Sequence, residues 1–520
     1  MNCPLRTGSF VLFLCVCLSR CFASDKLFEI QVVDKQTRRG IPMVELTTVD
    51  DVVYITDSAG RTALDEIELS GTTVFFKVTS PGYSHAKDGF GMEGVKITIL
   101  PGKSHTIELT RINIAERLYR ITGRDVYLDT IRLGYPSPVT HPHGSGKVVG
   151  QDSIQAVPYR RRLWWFWGDT NQLAYPLGLY RTAGAVSDIP DHGGLDPSIG
   201  IDHQYFVKED KFARAMVEVP NQEGVVWIEG ACTVTDGSGV DRMVAHYSRR
   251  KGLTEPLEQG TVLWNDDRAM FEVHDVLDLR EKWRMLKAHP IRFSDAGVEY
   301  HCFGNPFPVT RVPATLAALT NRDAFESLTC REGTLDEFFS EQQLAISKPQ
   351  RNESGQLVWS WKKTPPVTPK DEHRWLKLGL IKIEEARFLP LDAEAPERII
   401  EMHTGTIHWN DFRKRWVMVA IEHAWDKKSP SFLGEVFYSE GPTPQGPFLK
   451  AIKIATHPGQ SFYNPCQHPF FDQNGGRILY FEGTYCNTFT SSPATPRYNY
   501  NQMMYRLNLE DPRLRDVFGP

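Results

Sequence analysis

The sequence predicts an all-β protein in two parts, an N-terminal β-sandwich followed by a five-bladed β-propeller with loop and short-helix insertions. Three observations point there. From residue 24 to 110 short β-type runs follow one another, parted by Gly, Pro, Asp and Ser. From Lys147 onward five strand–turn–strand units recur. The chain is also rich in Pro (34), Gly (40) and Trp (12), a composition that suits many strands and many loops. At 520 residues it is too long for one ordinary core.

The first residues form a targeting segment. Arg6 supplies a positive flank, Phe10 to Leu18 an apolar stretch, and Cys21-Phe22-Ala23 a small-residue cleavage site. The apolar stretch is too short to span a bilayer. Residues 1–23 are therefore expected to be a signal peptide, and the mature protein to be secreted or periplasmic, with no membrane insertion. Cys21 as a lipid-bearing cysteine is the alternative, and Ser19-Arg20 before it fits that poorly. Four of the nine cysteines lie in this segment. Cys232, Cys302, Cys330, Cys466 and Cys486 remain, with no CxxC spacing, so neither a disulfide framework nor a zinc site is indicated. One Cys466–Cys486 bridge and buried free thiols are both open.

Residues 24–111 read as the sandwich, through LFEIQVVD, MVELTTVD, VVYITD, TVFFKVTS, VKITIL and HTIELT, with turns at Asp57-Ser58-Ala59-Gly60 and Ser80-Pro81-Gly82. Residues 112–146 read as a helix and linker. Asn113 caps NIAERLYRITG and Gly123 ends it, and a stretch rich in Pro, His and Gly follows. Residues 147–520 read as the propeller. Its first unit, Gly146 to Tyr175, places a period-2 strand before Tyr159-Arg160-Arg161-Arg162 and an aromatic strand, Leu163 to Trp167, after it. Pro158 is expected to close the first of these strands. The other units turn at Thr235 to Gly239, Ser294 to Gly297, Asn410 to Lys414 and Asp472 to Gly476. Thr334 and Glu337 form a capping box for an inserted helix, Thr334 to Ala345. Pro365 to Pro369 and Asn487 to Tyr500 read as surface loops that can shape a cleft.

A net charge of −5 and a pI of 6.4 argue against nucleic acid as a partner. HExxH, P-loop and GxSxG motifs are absent, so zinc peptidase, NTPase and serine hydrolase readings have no support.

Two resemblances add to this. TDSAGRTAL at Thr56 to Leu64 and SPGY at Ser80 to Tyr83 resemble the carboxypeptidase-regulatory-like, transthyretin-like modules, which are accessory rather than catalytic. GQDSI…RRRLWWFWGDT, VVWIEGACTV, YSEGPTPQGPF and QHPFFDQNGGRILYFEGTY resemble the five-bladed propeller glycoside hydrolases of the arabinanase, xylosidase and fructosidase clan. That resemblance implies a carbohydrate substrate and acidic side chains converging on the propeller axis. One carboxyl protonates the leaving oxygen, and another activates water or attacks the sugar. It implies Asp152 as base, Glu229 as acid and Asp169 as the group that tunes its neighbour. Glu422 and Glu482 end later strands and, with His468 and Trp167, are candidates for substrate binding. The resemblance leaves room for a calcium ion near the axis and requires no other cofactor.

Each residue also has a plainer reading. Asp152 and Asp169 can be turn residues accepting backbone hydrogen bonds. Glu422 and Glu482 can pair with internal arginines. His141 and His143 fit a solvated loop, and His403, His408 and His468 fit satisfied core positions. Trp165 and Trp167 share one strand face and Trp164 takes the other, as blade packing requires. Glu229, flanked by Val225, Val226, Trp227 and Ile228, is the most telling, because a carboxylate inside an apolar strand is costly unless paired or functional. The rival to a hydrolase is a non-catalytic propeller that binds glycan or protein on the same face. A metal-assisted lyase would need a histidine–carboxylate cluster that no spacing here supplies.

Overall fold

The computed structural model describes residues 27–332, 341–424 and 429–520. The signal-peptide segment, Thr334 and Glu337 lie outside the described residues. The chain is all-β, in two compact units. The first comprises residues up to 80 with 84–110 and 127–137, and the second 81–83, 111–126 and 138–520.

In the first unit one sheet orders Arg61–Leu64, Phe28–Asp34 and Ser104–Arg111, and a second orders Val53–Ile55, Glu45–Thr47, Thr73–Thr79 and Gly94–Thr98. Each of the six runs read from the sequence overlaps one of these strands. Alternate residues are buried, Phe76 and Val78 in one strand and Ile107 and Leu109 in another, as sheets with one covered face require. A short helix, Leu128–Arg132, belongs to this unit, and the Thr130 amide donates to Asp57 Oδ2 at 2.7 Å.

In the second unit the five hairpins expected from the sequence each fall in one sheet, antiparallel apart from a parallel edge pair in the second and in the fourth. Their first strands are Gln155–Tyr159, Val225–Thr235, Ile291–Asp295, Met402–Asn410 and Ser461–Gln467. Apolar side chains join four of the five neighbouring pairs of sheets. Tyr159 and Phe166 of the first meet Ala245, Tyr247 and Trp264 of the second. Cys232 and Val244 meet Phe303 and Val312, and Cys302 shares a cluster with Met418 and Phe437. The fourth and fifth meet through polar groups, Gln467 Nε2 donating to Thr406 O at 3.0 Å and Asn410 Nδ2 to Gly476 O at 2.7 Å. Trp165 and Trp167 of the first sheet then pack with Tyr480 and Met504 of the fifth. The five sheets thus close a ring, the arrangement of a propeller.

Two local expectations are corrected. Pro158 does not end its strand, which runs on to Tyr159, because Pro158 is exposed at a position where it can be spared a ladder bond. The helix expected over Asn113 to Gly123 is a strand, Glu116–Arg120. It pairs antiparallel with Asn501–Asn508 and completes the fifth sheet. All five of its residues are buried, so no alternation marks it as a strand in the sequence. Among the described residues no helix is long and apolar enough to cross a membrane.

Candidate active site

The same backbone irregularity recurs at the start of the sheets. In the first strands of the second, fourth and fifth the register slips between Glu229 and Cys232, Met402 and Gly405, and Tyr463 and Cys466. Left-handed residues mark the corresponding points of four sheets: Ser153 (φ 56°), Gly230 (64°), Ala288 (55°) and Asn464 (51°). A bulge of this kind re-aims the preceding side chain. Those side chains are Asp152, Glu229, Lys287 and Tyr463. Asp152 and Glu229 therefore hold equivalent places in neighbouring sheets, with a cation and a phenol in two of the others.

Asp152 lies deep yet keeps part of its side chain accessible. Its Oδ1 accepts the Asp169 amide at 2.8 Å and its Oδ2 the Tyr463 hydroxyl at 2.9 Å, while Tyr500 and Ser153 donate as well. Burial raises its pKa, and these donors oppose the rise by favouring the ionised form. Gly168 permits the approach, since a Cβ there would stand 2.5 Å from Asp152 Oδ1. Ser153 is held in turn by Asn464 Nδ2 at 2.7 Å, and the Asn464 amide reaches Thr404 Oγ1 at 3.2 Å. Polar contacts thus run from the first sheet through the fifth to the fourth.

Asp169 is buried and accepts the Trp227 indole N–H at 2.8 Å. Burial first, then the Asp152 charge, push its pKa up to about 7. Trp227 precedes Glu229 by two on one strand, so both side chains leave the same face, roughly 7 Å apart along the backbone. Burial raises the Glu229 carboxyl, opposed by the charges of Lys287 and Arg250 and by the Ala288 amide. Asp152 and Asp169 thus meet directly, and Trp227 connects them to the strand of Glu229. Burial pushes all three carboxyls toward the protonated form, and only Asp152 has a rich set of donors opposing it.

The other candidates lie elsewhere. Glu422 pairs with Arg398, its plainer reading. His468 Nε2 and Glu482 Oε1 lie 2.7 Å apart, both buried, inside the fifth sheet, and His468 Nδ1 has no hydrogen-bond partner among the described residues. Trp167 is buried, stacked on Tyr205 with centroids 5.3 Å apart, because both faces of its strand are covered. Among the described contacts these four residues take part in packing and pairing. All five described cysteines are buried free thiols, so the Cys466–Cys486 bridge does not form.

Burial, then the neighbouring imidazoles, holds His289 near a pKa of about 3 and His408 near about 4. Cys466 Sγ lies 3.5 Å from His289 Nδ1. Calcium takes six to eight oxygen donors, which imidazoles and a thiol do not supply. Among the described residues no group of three or more His, Cys, Asp or Glu is arranged to hold a metal ion.

Tyr463, Tyr500, Trp227 and Lys287 were not singled out from the sequence. The one available signal was partial: Tyr500 ends the loop that the sequence placed beside a cleft.

No family model matches the chain, and no curated protein matches it in sequence. Among solved structures it is similar to a GH43_1 enzyme from Xanthomonas citri (9% identity, 70% of this chain and 89% of that one, TM-score 0.33). An exo-β-1,3-galactanase from Phanerochaete chrysosporium aligns at 7% identity over 70% and 64% of the two chains, TM-score 0.33. An exo-1,5-α-L-arabinanase from a bovine ruminal metagenomic library aligns at 9% identity over 69% and 93%, TM-score 0.32. At such scores the likeness carries no argument, and the fold rests on the sheets themselves.

Proposed function

We propose that the chain is a secreted glycoside hydrolase acting on a polysaccharide or oligosaccharide. In this reading the five sheets are the blades of a five-bladed propeller, and the N-terminal sheets form an accessory β-sandwich. The observation that carries it is a difference in donors among three carboxyls. Burial raises the pKa of all three, and Asp152 alone is met by four donors that oppose the rise and favour its charge. Glycoside hydrolysis needs such a pair, one carboxyl ionised and the other holding a proton at the same pH.

In the reaction Asp152 serves as base, toward water or the anomeric carbon, held by Tyr463 and Tyr500. Glu229 delivers the proton to the leaving oxygen. Asp169 keeps its own proton below about pH 7 and so limits charge repulsion against Asp152. The chemistry asks nothing of a metal ion.

The test is release of reducing sugar from a panel of plant, algal and bacterial polysaccharides by wild type, Asp152→Asn and Glu229→Gln. A cleaved substrate with both folded variants losing at least a hundredfold in kcat supports the reading. Full activity in both variants sinks these residues. Glycan binding without turnover, unchanged by either substitution, replaces the hydrolase with a binding propeller.

A further inference from the structure

The second unit holds a cavity of about 670 Å³ beside the helix Pro369–Lys377. Its lining is one-sided in charge. Among the described residues five cations, Lys282, Lys287, Arg331, Lys370 and Arg374, line it with one carboxylate, Asp371. Asp371 is already engaged, by Arg331 at 2.6 Å and Arg374 at 3.6 Å. The three lysines are exposed and form no ion pair among the described residues. The remaining wall is largely apolar, with Trp283 and Phe307 and the prolines of the Pro365–Pro369 loop. Aromatic and proline surfaces accept the face of a sugar ring, and convergent ammonium groups accept an anion.

The cavity adjoins the site already described. Lys287 lines it and occupies in the third sheet the place that Asp152 and Glu229 hold in the first and second. The Lys287 charge reaches Glu229, and the next residue, Ala288, gives Glu229 a backbone N–H.

We propose that this cavity is a subsite for an anionic sugar residue, one bearing a carboxylate or a sulfate, next to the bond that is cleaved. The proposal rests on the glycoside hydrolase reading and narrows it to acidic glycans. A lysine-lined pocket also draws such chains from solution, an attraction that salt screens.

The test is binding by calorimetry to the full-length Asp152→Asn protein. The probes are trigalacturonate, a sulfated galactan trisaccharide and a neutral galactan trisaccharide. At least one acidic probe is expected to bind tenfold or more tightly than the neutral one. That advantage is expected to shrink between 50 and 500 mM salt, and to fall to less than threefold in a Lys282→Ala/Lys370→Ala variant. Restored preference in Lys282→Arg/Lys370→Arg would tie the effect to charge. Which acidic probe binds assigns carboxylate or sulfate. Equal binding of all three, binding of none, or a preference that survives loss of both lysines overturns the subsite. Cleavage of neutral glycans that depends on Asp152, with no acidic preference, overturns the subsite and leaves the hydrolase. Lysine-dependent acidic binding without turnover by wild type keeps the subsite and removes the hydrolase.

Discussion

The Tyr463 hydroxyl donates to Asp152 Oδ2 at 2.9 Å, so a side chain of the fifth sheet positions the carboxylate of the first. The two residues are 311 apart in sequence and meet because the ring closes. A donor to the ionised form lowers a carboxyl pKa. Tyr463→Phe removes it without adding volume. The acidic limb of the kcat/KM profile is then expected to move up by about one pH unit, with kcat falling about tenfold. A profile superimposable on wild type would show that the contact does not tune the base.

Asp169 gives a prediction on stability. Its folded pKa is about 7 against an ordinary value of 3.8, so the folded state holds a proton that the unfolded state has released. A raised folded pKa contributes stability that is fully present below about pH 4 and is lost as pH climbs through about 7. The difference corresponds to roughly 4 kcal/mol. Asp169→Asn is expected to flatten this part of the stability–pH curve and to be the more stable protein at pH 8. Urea unfolding at pH 5 and pH 8 measures it. An equal pH dependence in both proteins would mean that Asp169 is ionised throughout.

Much of the fold was legible because hairpins are local. Four of the five turns carried Gly, Asp or Asn between β-type runs, the first being made by Tyr159-Arg160-Arg161-Arg162, and each hairpin falls in its own sheet. Asp152, Asp169 and Glu229 stand out as candidates for a related reason, since each interrupts an apolar strand or ends one. Tyr463, Tyr500 and Lys287 do not, because their value lies in contacts across the ring that no local spacing records. The aromatic run misled in a different way. Trp167 looked like a sugar platform, but its strand is covered on both sides, and sequence does not distinguish a cleft face from a sheet interface. NIAERLYRITG satisfied the rules for a capped helix, and only its burial on both faces within the fifth sheet decided otherwise.

Gly230 tests the bulge that aims Glu229. Its φ is 64°, and a Cβ would stand 2.7 Å from Leu286 Cβ. Gly230→Ala is expected to cost about 1–3 kcal/mol of stability. Because the strain falls on the residue after Glu229, kcat is expected to drop at least tenfold while KM changes less than threefold. Activity kept in full would show that the bulge has no part in placing the acid.

His468 and Glu482 separate structure from chemistry. Both are buried and 2.7 Å apart. Glu482→Ala leaves His468 without its partner, and breaking a buried pair typically costs about 3–5 kcal/mol. The expected result is a lower thermal midpoint with kcat/KM within twofold of wild type at temperatures where the variant is folded. A selective loss of kcat in a folded variant would return Glu482 to the site.

The strand Glu116–Arg120 closes the fifth sheet, and its removal provides the last prediction. Without it Asn501–Asn508 becomes an open edge, Leu118 and Tyr119 lose their burial, and Arg506 loses Glu116, its partner at 2.6 Å. Burying each large apolar side chain is worth about 1.5–3 kcal/mol, and an uncovered edge strand invites pairing between molecules. Two truncated chains separate this effect from loss of the N-terminal unit. One begins at residue 111 and keeps the strand, and the other begins at residue 124 and lacks it. The longer chain is expected to be the more soluble and to unfold at the higher temperature, by at least several degrees. Equal midpoints and equal solubility would mean that the ring does not depend on this strand for closure.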